Sequence, residues 1–229
     1  MPPANRLLSA LPSKDRRRFL SGCESVGLAF GDVLTEPGDP IRHVYFPTQS
    51  FISLVMPVSG HSGLEVGLVG DEGMLGISLS LGVDRSSFHA VVQGEGMALR
   101  LDAARFCHEL ALSSALQGIL KHYIAVVLGQ LAQTAACARF HVVEARLARW
   151  LLMSGDRAHS PTFHVTHEFL AYMLGVRRVG VTKAASSLQA RGLIGYRRGD
   201  VTIVDRPALE SVCCGCYAAD NTVYAKVMG

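Results

Sequence analysis

The chain lacks a continuous apolar run near its start, where MPPANRLLSALPSKDRRRF turns strongly basic after Leu11. A secretory signal needs such a run, so we expect a cytoplasmic protein. The most apolar long stretch, Ala111 to Ala138, is interrupted by Lys121, His122 and several glutamines. This composition favours a buried or dimerising helix over a membrane span.

Charged residues are also scarce, at 18% against 49% hydrophobic residues in 229. Such a composition supports a packed core and argues against a disordered chain. The net charge of +3 is unevenly distributed, because the segment from Arg139 onward has 12 Lys and Arg against 7 Asp and Glu. A basic C-terminal segment behind a slightly acidic one is typical of a nucleic-acid module joined to a sensor module.

Cysteines are few in the first hundred residues, where Cys23 stands alone. Because a cytoplasmic setting disfavours disulfides, we expect the isolated cysteines to be small core residues. These are Cys23, Cys107 and Cys137. The denser group Cys213, Cys214 and Cys216 leaves open a zinc or iron–sulfur site as well as inert or redox-reactive thiols. Its spacing lacks the usual two-residue gap and no fourth ligand is nearby in sequence, so we expect no metal there.

The strongest pattern lies between Val165 and Asp205 and predicts a helix, a tight turn and a second helix. Thr166 is placed to cap the first helix, and Glu168 lies in its first turn, where the helix dipole favours an acid. Gly175 supplies the turn, and a second helix is predicted over residues 178–190.

The second predicted helix has one apolar face and one polar face. The polar face carries hydrogen-bonding and cationic side chains, which suit base edges and phosphates. Its members and neighbours are Arg177, Arg178, Thr182, Lys183, Ser186 and Gln189. A short hairpin follows, with Arg197 and Arg198 at its tip. These features together predict a winged helix-turn-helix that binds double-stranded DNA.

In residues 31–101 the sequence pattern changes to short β-like runs that are separated by glycine. The runs are Val33 to Thr35, His43 to Phe46, Phe51 to Met56, Leu64 to Val69, Phe88 to Val92 and Met97 to Leu101. Strands of this length and spacing predict a small antiparallel barrel or jelly roll, which makes the chain an α+β protein. A metal enzyme of the cupin type is disfavoured, because His61 and Glu65 lack a His-x-His pair with a matching downstream histidine.

The helix predicted over 111–138 shows two apolar stripes. One is Leu116, Ile119, Tyr123, Val126 and Cys137, interrupted by Gln130 and Gln133; the other is Leu120, Ile124, Val127 and Leu131. Two stripes imply burial on two sides, one against the chain's own roll and one against a partner helix. We therefore expect a homodimer, with a single wide stripe buried in a monomer as the alternative.

A roll, a long helix and a winged helix in this order resemble the cyclic-AMP-receptor/FNR (Crp/Fnr) family of bacterial transcription regulators. The resemblance is carried by VTHEFLAYMLGVRRVGVTKAASSLQARGLI, by EPGDP and, more weakly, by EGMLGISLSLGVDRSSFHA. It implies a sensor domain over 1–110, a dimerisation helix over 111–138 and a DNA-binding domain over 139–229. It further implies a non-enzymatic regulator that contacts RNA polymerase.

The same resemblance implies an effector site in the roll. Family members that bind cyclic nucleotides hold the ribose with a Glu and the phosphate with an Arg-Ser pair. The matching positions here, with the adjoining helix, are Gly73, Gly76, Arg85, Ser86, Ser87 and Tyr123. Met74 replaces the ribose-binding Glu, which predicts weak cyclic-nucleotide binding.

The sequence leaves three other classes of effector as alternatives: another small molecule, a redox signal, or a gas bound by haem. An N-terminal iron–sulfur cluster is excluded by ligand count, because Cys23 is alone there. Haem has five candidate axial ligands, each of which we expect to be an ordinary histidine. These are His43, His61, His89, His108 and His122.

The DNA-facing residues also depart from the family pattern. Members that read a G-rich half-site have an Arg-Glu pair early in the second helix and a basic residue one turn later. Arg178 and Lys183 match, whereas Val179 replaces the Glu. Guanine recognition by Arg178 is therefore expected, and a carboxylate acceptor for cytosine is not. The competing interpretation is a winged helix that binds protein, which the arginine-rich helix disfavours.

Overall fold

A computed structural model of the protein describes residues 4–59 and 63–229. The chain divides into two compact units. The first contains residues 4–54, Leu68–Leu128 and Lys226–Gly229, and the second contains the described residues of Val55–Gly67 together with Gly129–Ala225. The three domain boundaries expected from the sequence stay a prediction.

The first unit begins with two short helices, α1 (Arg6–Ser9) and α2 (Ser13–Leu20). The Asn5 side chain caps α1, since its carbonyl oxygen accepts the Leu8 amide at 3.1 Å. Its amide nitrogen donates to the carbonyl oxygens of Pro47 and Gly73, at 3.0 and 2.8 Å. One buried side chain thus joins the start of the chain to two segments of the roll.

Seven strands build the roll: β1 (Glu24–Leu28), β2 (Val33–Thr35), β3 (His43–Pro47), β4 (Phe51–Met56), β5 (Leu64–Val69), β6 (His89–Gly94) and β7 (Gly96–Asp102). They form two sheets, in the orders β1-β7-β3 and β2-β6-β4-β5. In the first sheet β7 pairs antiparallel with both neighbours, and its register against β3 runs from His43↔Asp102 to Pro47↔Ala98. The predicted antiparallel roll is confirmed. The sequence missed β1, whose residues lack regular alternation.

The core of the first unit is built from side chains of α2, β3 and the helix after β7. Phe19 meets the rings of Phe46 and Phe106 edge to face, with centroids 5.4 and 6.4 Å apart. Such pairs contribute about 0.5–1.5 kcal/mol each beyond the burial of their area. Leu101 and Met74 lie in the same cluster, each 1% exposed.

Two helices follow the roll, α3 (Ala103–Leu112) and α4 (Ser114–Phe140). Asp102 caps α3, because its Oδ1 accepts the amides of Ala104 and Arg105 at 2.9 and 3.2 Å. Within the described residues, α4 alone is long and apolar enough to cross a membrane, by length and composition only. One such helix is weak evidence for a span.

The burial pattern of α4 includes members of both predicted stripes. Leu116, Leu120, Tyr123, Val126 and Cys137 are buried. The exposed side carries a further stripe at alternating spacings of three and four residues. Its members are Ala125, Leu128, Ala132 and Ala135, and the Leu128 side chain is 61% exposed. The sequence did not indicate this stripe, because alanine is too weakly apolar to mark a helix face.

The second unit contains α5 (Val143–Ala158), β8 (Thr162–His164), α6 (His167–Leu174), α7 (Arg178–Ala190), β9 (Ile194–Arg197), β10 (Asp200–Ile203), α8 (Arg206–Val212) and most of α9 (Cys216–Met228). Its small sheet has the order β8-β10-β9, and both pairings are antiparallel. The sequence missed β8, which is only three residues long.

Candidate nucleic-acid interface

The helix-turn-helix is held by local hydrogen bonds that the sequence specifies. Thr166 caps α6 as predicted, since its Oγ1 accepts the Phe169 amide at 3.1 Å. At the other end Gly175 has φ 60° and ψ 40°, a left-handed conformation in which glycine carries no steric penalty. The Val176 amide then donates to the Ala171 carbonyl at 3.0 Å. The turn between α6 and α7 is therefore fixed.

A cation from α5 also fixes the end of α6. The Arg146 guanidinium donates a hydrogen bond to the Leu174 carbonyl, one of the helix-terminal acceptors that have no partner within the helix. Burial lowers the pKa of Arg146. The Arg146 side chain is half-buried and serves as a C-terminal cap of α6.

The faces of α7 are arranged as the periodicity predicted. Val181, Ala184, Ala185 and Leu188 are buried. The opposite side exposes Arg177, Arg178, Val179, Thr182, Lys183, Ser186 and Gln189. The structure thus brings all six predicted residues of this helix onto one accessible surface, which we call the α7 face.

The hydroxyl of Thr182 is already engaged within the chain. Its Oγ1 donates to the Arg178 carbonyl at 3.1 Å and lies 3.2 Å from Nδ1 of His167. The His167 ring packs against that of Tyr196, with centroids 4.5 Å apart. Burial and the nearby Arg178 charge lower the pKa of His167. Sequence reasoning missed His167, because nothing in its neighbourhood indicates a contact with α7.

The charged residues of the α7 face and of the tip of the following hairpin are all positive. From Phe169 to Gly199 the sequence contains no Asp or Glu. Arg191 pairs with Glu144 of α5, with 3.0 Å between its Nη1 and the carboxylate. The other cations of this segment are Arg177, Arg178, Lys183, Arg197 and Arg198. Such a surface attracts polyanions.

The hairpin after α7 has a two-residue turn. Arg198 and Gly199 both have positive φ, at 53° and 90°, as the turns that match the twist of a tight hairpin require. A side chain at Gly199 would place its Cβ 2.6 Å from the His164 ring, so only glycine fits. His164 also contacts Asp200 at 2.9 Å, which ties β8 to the wing. Arg197 and Arg198 are exposed at the tip.

The predicted effector residues fall into two groups in the first unit. Tyr123 lies against Gly73, where an added Cβ would be 2.0 Å from the phenol oxygen. That oxygen accepts the Met74 amide at 3.3 Å, and Met74 and Tyr123 are buried in the core. The nearby Gly76 has φ 92° and precedes the short 3-10 helix Ile77–Leu81. The Met74 side chain therefore lies in the packed core of the first unit.

The second group lies on the surface of the roll. The Arg85 guanidinium donates to the Gly38 carbonyl at 2.7 Å. Ser86 Oγ is 3.0 Å from Thr35 Oγ1 and accepts the Phe88 amide at 3.2 Å. Ser87 is exposed. The hydrogen-bonding groups of Arg85 and Ser86 are thus used to hold the loop.

The candidate haem ligands are also dispersed. His89 Nδ1 lies 2.9 Å from Glu36, His43 packs beside Tyr45, and His108 and His122 are exposed. His61 lies outside the described residues.

Comparison with known proteins supports this geometry. Residues 145–212 match the family model of the Crp-like helix-turn-helix domain. No curated protein matches the chain in sequence. Its fold is similar to FixK2 from Bradyrhizobium japonicum, at 13% identity and TM-score 0.71, over 84% of this chain and 98% of that one.

Two further structures show the same fold. The c-di-GMP-responsive global regulator CLP from Xanthomonas campestris is 18% identical with TM-score 0.67, over 84% of this chain and 99% of that one. A CRP/FNR-family transcriptional regulator from Thermus thermophilus is 20% identical with TM-score 0.63, over 82% and 97%. The chain therefore contains a Crp-like helix-turn-helix domain over residues 145–212 and shares the fold of these solved structures.

Proposed function

We propose that the protein is a sequence-specific, homodimeric transcription regulator that inserts α7 into the major groove of DNA. The α7 face carries this proposal, because it exposes arginine, lysine, hydroxyl and amide groups without an acid among them. Arg178 is the guanine reader, since arginine donates to both acceptors on the major-groove edge of guanine. Arg197 and Arg198 contact phosphates from the wing.

The exposed stripe of α4 supports the dimer. Leu128 and the three alanines follow the spacing of a coiled-coil seam, and small residues allow two helices to approach closely. Two copies paired there would present two α7 faces to half-sites about 34–36 Å apart, one turn of DNA. From the resemblance to Crp/Fnr regulators, we further propose RNA polymerase as a partner and a cytoplasmic location.

The input signal of this regulator is proposed to be something other than cyclic AMP. Tyr123 and Met74 fill the position of the ribose acceptor, and Arg85 is held by a backbone carbonyl. A nucleotide would have to displace buried side chains and then leave its ribose hydroxyl facing a thioether.

The DNA assignment is tested by selecting operators from a random-sequence pool and measuring affinity for the selected site. Arg178→Ala is expected to weaken specific binding by about 1–3 kcal/mol, the usual scale for one bidentate base contact. Arg17→Ala removes one exposed positive charge from α2 and serves as the matched control, with affinity unchanged. Equal operator affinity of Arg178→Ala and its parent at the same salt concentration would refute the assignment.

The dimer is tested by sedimentation. Leu128→Glu places charges in the proposed seam and is expected to give monomers that lose operator affinity. Leu81→Glu is the control, because Leu81 is a similarly exposed leucine, at 65%, outside α4. A Leu128→Glu protein that remains a dimer would place the interface elsewhere.

A further inference from the structure

Three thiols and an imidazole converge in the second unit, far from the α7 face in sequence. Cys137 lies near the end of α4, His141 directly follows that helix, and Cys214 and Cys216 flank the start of α9. One sulfur or nitrogen atom from each lies within 4.8 Å of all the others. The Sγ atoms of Cys137 and Cys214 are 3.5 Å apart, as are Cys216 Sγ and His141 Nδ1.

These spacings are close to the edges of one metal tetrahedron. Zinc binds cysteine sulfur at about 2.3 Å and histidine nitrogen at about 2.0–2.1 Å, so ligand atoms around it lie roughly 3.5–3.8 Å apart. The thiols are also sequestered from water, with Cys137 and Cys216 2% exposed. Small side-chain shifts would close the set around an ion.

Two polar side chains lie next to the thiols. The buried Arg149 interacts with Cys137 and pairs with Asp220, whose Oδ2 is 2.6 Å from its Nη2. The Gln133 side-chain amide donates to Cys216 Sγ at 2.9 Å, as outer-shell groups do when they orient a ligand.

We propose that Cys137, His141, Cys214 and Cys216 bind one thiophilic divalent ion, of which zinc is the best fit, in a closed four-coordinate site. Three sulfurs and one nitrogen form a ligand set typical of structural zinc. Four donor atoms this close enclose a single ion and leave no room for the several metal and sulfide atoms of an iron–sulfur cluster.

A disulfide between Cys137 and Cys214 is the competing interpretation. It would use two of the four groups and give no reason for the approach of Cys216 and His141. The neighbouring Cys213 is not one of the four, since its Sγ donates to the Cys214 carbonyl at 3.2 Å. The metal explains the whole set.

The ion would join the end of α4 to the connection between α8 and α9, against Ala145 of α5. Its role would be structural, because four protein ligands leave no open position for a substrate. The sequence expectation of no metal rested on the absence of a fourth ligand near Cys213 to Cys216. Cys137 and His141 lie more than 70 residues earlier, so only the fold brings them there.

The first test is the metal content of the full-length protein, purified with reductant and supplied with zinc. Mass spectrometry is expected to find one zinc per chain in the parent and in the control Cys107→Ser, which removes an exposed cysteine on α3. Cys216→Ser is expected to retain no stoichiometric metal. A parent that binds none, or a Cys216→Ser protein that binds as much as the control, overturns the proposal.

A second measurement guards against variants that misfold. Cobalt replaces zinc in the parent and is expected to give the intense visible absorption of a tetrahedral thiolate site. His141→Cys keeps four ligands and should retain the ion with an altered spectrum, while Gln133→Ala should weaken affinity by about 10–100-fold. If the parent protein has two fewer titratable thiols than its cysteine content and gives no cobalt spectrum, the cysteines form a disulfide and the metal site is refuted.

Discussion

The α7 face and the effector region of the roll were both predicted from sequence, but only the residues of the α7 face lie together on one exposed surface. The α7 face is a single helix whose polar side stays exposed, so its six predicted residues lie together. The effector residues come from segments about fifty positions apart, and the Tyr123 phenol packs directly against Gly73. Substitutions in the first region should therefore change DNA binding, and those in the second should change stability.

The largest effect is expected at Tyr123. Tyr123→Ala removes a ring that is 3% exposed and leaves the Met74 amide without its acceptor, so the free energy of unfolding should fall by about 3–5 kcal/mol. Chemical denaturation measures this loss. An undiminished stability, with new binding of a small molecule, would mean that Tyr123 is a movable lid on an effector site.

A substitution at Gly73 tests the same contact between Gly73 and the Tyr123 ring. Gly73→Ala forces a Cβ against the phenol of Tyr123 and should destabilise the protein by about 1–3 kcal/mol. Gly27→Ala is the control for glycine entropy, because nothing lies within 4 Å of its added Cβ. Equal stability of the two variants would show that the Tyr123 ring moves aside freely.

Val179 tests base recognition by the α7 face. Val179 is 65% exposed on α7, at the position of the acid in the family's Arg-Glu pair. Val179→Glu should shift the preferred base by about 1–3 kcal/mol towards a half-site with cytosine and leave stability unchanged. Operator selection with this variant measures the shift; an unaltered consensus sequence would place Val179 away from the bases.

The smallest effect is expected at the wing. Arg198→Ala removes one proposed phosphate contact, so it should lower the slope of log affinity against log salt by about 1, equally for all sequences. Because Arg198 has a positive φ, Arg198→Gly serves as a second variant that relieves backbone strain. A loss restricted to one operator would indicate base recognition by the wing.

Local signals predicted much of the fold. The ends of β4, β5 and α7 agree with the sequence, because alternation and helical spacing are strong there. The predicted cap at Thr166 is confirmed as well. Two strands, β1 and β8, were missed because each is stabilised by pairing with a distant strand more than by its own pattern.

The sequence by itself determined that α7 has a cationic, hydrogen-bonding face behind a capped turn. Those features depend on residues a few positions apart, which the helix period brings together. The tertiary structure alone decided that Tyr123 fills the space at Gly73 and that Cys137 and His141 meet Cys214 and Cys216. Such contacts depend on where separate elements pack, and no local spacing encodes that.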